Sequence, residues 1–336
     1  MTLRGVLIKA CALALLVAPV LAGPAAAGEE PTVKGDGGPV RLLYSPFGTN
    51  SFPPFVMQKY GLDKKHGFEL QLVNGPTTQI RVTVLQAKGA ELATIDWIDI
   101  TRMRSGGVNV VGIAPFLRWG ADFIMVPKDS PLQTIGDLKG KRVGTYSRVG
   151  MNWVVARAVA QTKYGLDLEK EASVQEAAVP LLAGLIEQGQ LDATEIFNSV
   201  APSMEATGKF RPLVKVSELV HQLGFPDIPY LMYAASADYA AAHPANLKAF
   251  VAAYRDAVQI LRTDDAIWLE RGREMKMTED VAALFRGEAR TDIMLKFDPN
   301  AEADIRTVFA SLLGMAGPEV LGASRLPDEF MTMAFQ

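Results

Sequence analysis

The sequence predicts an α/β protein of two lobes, each a doubly wound mixed sheet flanked by helices. Three observations predict it. Short apolar or alternating runs take turns with segments of helical apolar spacing, the pattern that builds such sheets. The stretch Gly89-Ala-Glu-Leu-Ala-Thr94 is echoed by Gly189-Gln-Leu-Asp-Ala-Thr194, each leaving a helix and entering a strand. A 336-residue chain with 49% hydrophobic and 21% charged residues can fill two separate cores.

The N-terminus stands outside the fold. Arg4 and Lys9 precede an apolar stretch over 10–22, and Ala25-Ala26-Ala27 offers an A-x-A cleavage site. Residues 1–27 therefore read as a secretory signal peptide, and the mature chain as periplasmic. The apolar stretch is too short for a comfortable membrane span. Cys11, the single cysteine, falls inside it, so the mature chain has no thiol, disulfide or thiolate metal site.

The elements follow in order. Residues 40–44 (VRLLY) read as a strand, and SFPPFVMQKYG opens a helix ending near Gly61. FELQLV (68–73) alternates as a strand does, and 77–88 have helical spacing. A short strand at 92–95 and a short helix at 98–103 come next. VNVVGIAPF (108–116) is apolar throughout, which predicts a buried parallel strand. The second lobe repeats the scheme: strands FIMVP and KRVGTY, a helix over 152–164, strand ASVQEA, a helix over 179–188 and strand DATEIF. YLMYAAS (230–236) reads as a strand returning to the first lobe. Beyond Asp238 the chain is mostly helical, over 244–261, 267–276, 280–286 and 301–313. Lobe 1 is thus expected to comprise 28–118 with 230–336, and lobe 2 to comprise 119–229. Hinges are expected at 116–123 and 225–230.

The formal charge of −3 becomes about −5 once the two signal-peptide cations are removed, which disfavours nucleic acid and anionic membranes as partners. No GxGxxG, GxxxxGK[ST], HExxH, GxSxG or CxxC occurs. His66, His221 and His243 are scattered near turns and helix ends. The pairs Asp96/Asp99 and Asp264/Asp265 read as helix starts. No catalytic residue, metal ligand or cofactor is indicated.

Ligands of open α/β sheets bind beyond the carboxyl ends of the strands. Those corners are SPFGTNS (45–51), NGPTTQ (74–79), DWID (96–99), LRWG (117–120), SRVGMNW (147–153) and FNS (197–199). They hold Trp97, Trp119 and Trp153, three of the four tryptophans, together with Arg118 and Arg148; Arg81 lies a turn into its helix. Thr49, Asn50, Ser51, Thr77, Thr78, Ser147, Asn152 and Asn198 supply hydroxyls and amides. Helix N-termini and planar guanidiniums suit an anion, and the indoles suit a flat ring system. The corners therefore predict a small planar anionic ligand, such as an aromatic or heteroaromatic carboxylate.

At this point the whole mature chain resembles the periplasmic substrate-binding proteins of ABC importers, in the group serving nitrate, taurine, alkanesulfonates and thiamine pyrimidine precursors. The resemblance is carried by FPPFVMQKYGLDKKHGFELQLV (52–73), KGAELATIDW (88–97), VPKDSPLQTIGDLKGKRVGT (126–145), LIEQGQLDAT (185–194) and ADYAAAHPANLKAFVAAY (237–254). It implies a two-lobed periplasmic binding protein fold of type II character. It also implies a monomer that closes on a small molecule and docks on an inner-membrane permease. The corners match the family's ligand loops by position. The crowd of tryptophans departs from binders of small sulfonates, and pyrroloquinoline quinone is a candidate planar anion. The alternatives are a small sulfonate, nitrate or pyrimidine ligand, an enzyme on the same fold, and a signalling partner. Pyrimidine synthases of this fold carry a cysteine-rich motif, which the mature chain lacks.

Overall fold

A computed structural model describes residues 32–336; the signal peptide expected over 1–27, Cys11 included, lies outside the described residues. The described residues form ten strands: β1 (Pro39–Tyr44), β2 (Glu69–Asn74), β3 (Leu92–Asp96), β4 (Val110–Arg118), β5 (Phe123–Pro127), β6 (Arg142–Thr145), β7 (Ser173–Glu176), β8 (Ala193–Ile196), β9 (Phe210–Lys215) and β10 (Pro229–Ser236). They form two five-stranded sheets, ordered β2-β1-β3-β10-β4 and β7-β6-β8-β5-β9. In each sheet the first three strands run parallel and the fourth runs antiparallel to both its neighbours. The two sheets share strand layout and direction and differ in chain order at the fourth strand, which comes last in the first sheet and first in the second.

The sequence echo falls at the entry to the corresponding strand of each sheet, one residue out of structural register, since Glu91 corresponds to Asp192 and Leu92 to Ala193. β3 and β8 occupy the middle of their sheets, and Thr94 and Thr194 are both fully buried there. Each echo also carries a matching clasp. Glu91 accepts the Arg41 backbone N–H at 2.7 Å and the Arg41 guanidinium, while Asp192 accepts the Arg142 N–H at 2.8 Å and the Arg142 guanidinium.

Two expectations change. The apolar run ending in β4 is an edge strand paired antiparallel with β10, not a parallel strand inside the sheet. It is apolar because both its faces pack into core, under Trp97–Ser105 on one side and Pro244–Thr263 on the other, and the C-terminal segment pairs its open edge, Gly112 N–H donating to Phe330 O at 2.9 Å and Thr332 N–H to Gly112 O at 2.8 Å. The strand β9 was not anticipated. Pro212 interrupts its alternation, and proline is tolerated there because β9 is itself an edge strand, paired with β5 alone.

The chain crosses between sheets at 119–122 and again over 216–228. These segments lie side by side, with Trp119 N–H donating to Ile228 O at 3.1 Å and Ser217 N–H to Gly120 O at 2.9 Å. Gly120 has φ +85°, and a Cβ there would stand 2.3 Å from the Ser217 nitrogen. Only glycine meets both constraints.

The C-terminal helices join the two halves. Pro244–Thr263 lies on Phe52–Lys59 and β4, whereas Glu279–Asp292 touches Ala201–Ala206 and Ala301–Leu321 touches Met151–Tyr164. Lys215 at the end of β9 reaches Glu288 at 2.9 Å and Asp292 at 3.0 Å. Ala301–Leu321 runs past the expected 313, bending at Gly317 and Pro318. One apolar cluster extends from Leu43 and Ile95 through Trp119 to Val143, Trp153 and Leu312. No helix among the described residues is long and apolar enough to cross a membrane.

Candidate functional site

The strand ends of both sheets and the 119–122 crossing enclose a cleft of about 620 Å³. From the first sheet come Thr49, Asn50, Thr77, Gln79, Arg81, Asp96, Asp99 and Arg102. From the second come Tyr146, Ser147, Asn152, Phe197 and Asn198, and Asp122 rises from the crossing between them.

Asp122 organises the second wall. Its Oδ1 accepts the Asn198 backbone N–H at 3.0 Å, and its Oδ2 accepts the Tyr146 hydroxyl and the Asn152 amide, both at 2.9 Å. The Asn152 Oδ1 accepts the Trp119 indole N–H at 3.1 Å. Asn198 Nδ2 then donates across the cleft to Thr49 Oγ1 at 3.0 Å, so the two walls touch. Burial pushes the Asp122 carboxyl up to about 6, against the pull of these donors. Behind the wall, Glu195 accepts the Thr145 hydroxyl at 2.6 Å through Oε2, while its Oε1 is buried without a partner. Burial pushes it up to about 8. Burial also raises the Tyr146 and Tyr230 hydroxyls, with Asp122 adding to the first and Asp96 to the second.

The first wall mixes signs. Arg81, which is 4% exposed, donates to Thr94 O at 2.6 Å and Gly75 O at 2.7 Å. Desolvation lowers it to about 10. Arg102 donates to Asp99 at 3.0 Å and to the Leu321 and Val320 carbonyls. Asp96 caps the helix Trp97–Ser105, accepting the Asp99 N–H at 2.6 Å. Burial and then the Asp99 charge push Asp96 up to about 8.

The residues singled out in the sequence divide. Thr49, Asn50, Thr77, Ser147, Asn152 and Asn198 line the cleft. The side chain of Thr78 lies outside the described residues. Ser51 does not line the cleft: it is buried and donates to Gly48 O at 3.0 Å. Arg118 faces away, paired with Asp227. Arg148 holds its own loop, bonding Glu169 at 2.6 Å and the Val174 carbonyl, with its N–H on Glu176.

The three tryptophans are core, not cleft. Trp97 and Trp153 are 0% exposed and Trp119 is 2% exposed. Trp97 meets Trp119 edge-on at 6.3 Å, Trp119 stacks on Phe225, and Trp153 donates to Glu169 at 2.8 Å. The physical reason is direction. On a helix one step turns the side chain by about 100°, and at its start the chain changes from strand to helix direction, so Asp96 and Asn152 line the cleft while the next residues, Trp97 and Trp153, turn into the core. The aromatic surface comes instead from Tyr146, which meets Phe197 at 4.6 Å, and from Phe47 and Tyr230. Asp122, Tyr146, Arg102 and Tyr230 were missed. Asp122 lies two residues past the LRWG corner, and Asp96 was read only as a helix cap, which it also is. No group of three or more His, Cys, Asp or Glu among the described residues is placed to hold a metal.

The NMT1/THI5-like family model matches residues 48–265. No curated protein matches the sequence. The alkanesulfonate-binding protein SsuA from Xanthomonas axonopodis pv. citri, bound to MOPS, is similar in structure. Its TM-score is 0.70 at 16% identity, over 88% of this chain and 98% of that one. The periplasmic aliphatic sulphonate binding protein SsuA from Escherichia coli gives a TM-score of 0.68 at 16% identity, over 88% and 93%. The periplasmic nitrate-binding protein NrtA from Synechocystis PCC 6803 gives 0.56 at 13% identity, over 74% and 69%. At these identities the likeness is one of fold.

Proposed function

Because the chain belongs to the NMT1/THI5-like family, we propose that it is the solute-binding component of an ABC importer, exported to the periplasm, where it captures a small molecule between two lobes. The observation that carries this reading is the cleft of about 620 Å³ walled by the strand ends of two sheets of the same strand layout and direction. Its partner is an inner-membrane permease, and it acts as a monomer without catalysis. The moving units are 28–118 with 230–336, and 119–229, hinged at the paired crossings.

The ligand is planar on this reading, because Tyr146, Phe197, Phe47 and Tyr230 offer ring surfaces to the cleft. The anionic half of the sequence expectation has weaker support. Arg118 and Arg148 are engaged elsewhere, and a polycarboxylate such as pyrroloquinoline quinone would meet Asp96, Asp99 and Asp122. An enzyme on the same fold is the second reading. It draws on the buried carboxylates with raised proton affinity, a pattern common in active sites.

Native mass spectrometry of protein purified without denaturation tests the proposal. A retained small molecule, recovered unchanged and shrinking the radius measured by small-angle scattering, is expected. A product accumulating with time and protein concentration would favour the enzyme. Protein that carries no cargo and does not compact with any supplied ligand would end the solute-binding reading.

A further inference from the structure

The inference rests on the solute-binding reading and concerns what the cleft recognises. Three carboxylates and two guanidiniums line it: Asp96, Asp99 and Asp122, with Arg81 and Arg102. Most are already committed. Arg81 is turned onto the carbonyls of Thr94 and Gly75, and Arg102 onto those of Leu321 and Val320 and onto Asp99. Both oxygens of Asp122 accept protein donors.

Asp96 differs. Its Oδ1 accepts the Asp99 N–H, yet its Oδ2 has no protein donor among the described residues. The residue is only 8% exposed and lines the cavity. That second oxygen is not sealed into the core but opens on the cavity, where a ligand donor can reach it. Its position is firm, since β3 pairs Asp96 with Leu231 of β10 and the helix Trp97–Ser105 starts on its carboxylate. The charged and titratable groups around it are Asp99 and Arg102 on that helix, Arg81 on the helix Thr78–Gln86, and Tyr230 on β10.

We propose that Asp96 anchors a cationic nitrogen of the ligand, a protonated amine or an amidinium, so that the cargo is a planar, cation-bearing molecule. The aromatic walls take its flat body, and the Asp96 oxygen facing the cavity takes its N–H. A proton leaves as the cation arrives. Burial and then the Asp99 charge raise the proton affinity of the empty-cleft carboxyl, and the ligand's charge replaces the proton it holds. The change balances: a neutral carboxylic acid and a ligand cation become a carboxylate–cation pair and a released proton.

Benzamidine, benzamide and benzoate are planar probes of like shape that differ in charge. Titration calorimetry of each, in phosphate and in Tris, reads both affinity and proton release. Benzamidine should bind roughly tenfold or more tightly than the other two. Its affinity should fall as the pH drops from about 8 to about 6, because protonated Asp96 competes. Asp96→Asn should level the three probes, and asparagine keeps the helix cap, so the apo fold should survive. The pH profile of the wild-type protein tests the idea without any variant. Preference for benzoate, an unchanged benzamidine preference in Asp96→Asn, or tightening at low pH would each overturn the anchor. If no probe binds while native mass spectrometry shows retained cargo, the anchor is overturned and the solute-binding reading stands. If no probe binds and no cargo or compaction is found, both fall.

Discussion

The two sheets share strand layout, strand direction and even the arginine–carboxylate clasp at the entry to the middle strand, yet their cleft walls differ. The first wall holds both guanidiniums and a carboxylate with an open oxygen. The second holds hydroxyls, amides and rings ordered around Asp122, with Glu195 sealed behind. The scaffold is set by features the halves have in common, and recognition by the few residues that follow each strand. A repeat can therefore diverge in chemistry without disturbing its own core.

The largest effects should come from the tryptophans beside those strand ends. Trp97→Ala in the first half and Trp153→Ala in the second should each cost ~3–5 kcal/mol, as expected for buried large-to-small changes. Urea unfolding of the apo protein checks this. A variant that keeps its stability and loses only ligand affinity would break the equivalence and return that indole to the cleft.

Next in size is the pH response. Asp96, Asp122 and Glu195 have folded values raised above the usual carboxylate range. Their contribution to stability is fully present below that range and is lost as pH rises towards about 8. The apo melting temperature should therefore fall from mildly acidic to mildly alkaline pH. Glu195→Gln should recover on the order of 1–3 kcal/mol at about pH 8. Bound cargo sharpens the comparison, because it should flatten the Asp96 share and leave the Glu195 share intact. A pH-independent melting temperature would remove the distinction.

The smallest effects belong to the clasps. Glu91→Ala should cost less than about 1 kcal/mol, and Asp192→Ala less again, because the Asp192 side chain is 32% exposed against 15% for Glu91. Thermal unfolding of the two variants side by side would show it, and a reversed order would mean that the clasps are not equivalent.

Most of the architecture was legible because alternation and helical spacing report burial directly. The limits were equally physical. The run over 108–116 looks like an inner parallel strand because any strand with core on both faces looks so, even one at a sheet edge whose open side the chain's own C-terminus pairs. Pro212 hid β9. At the site, the corners were found and six of the hydroxyl and amide residues singled out in them line the cleft. The tryptophans failed by one position each at 97 and 153, because residue type shows that something bulky is present and not which way it points.

The place of β10 has a consequence for assembly. In the second sheet every strand lies between Phe123 and Lys215, so the sheet can pair as soon as that stretch is available. The first sheet cannot close then, because β3 and β4 meet only through β10, which arrives after the whole second sheet. Long-range pairing of this kind slows folding, since the loop must close before the contacts reward it. The second half should therefore mature first as the chain emerges, leaving the facing edges of β3 and β4 exposed meanwhile. Those apolar edges are where a holding chaperone would bind, and where aggregation would start without one.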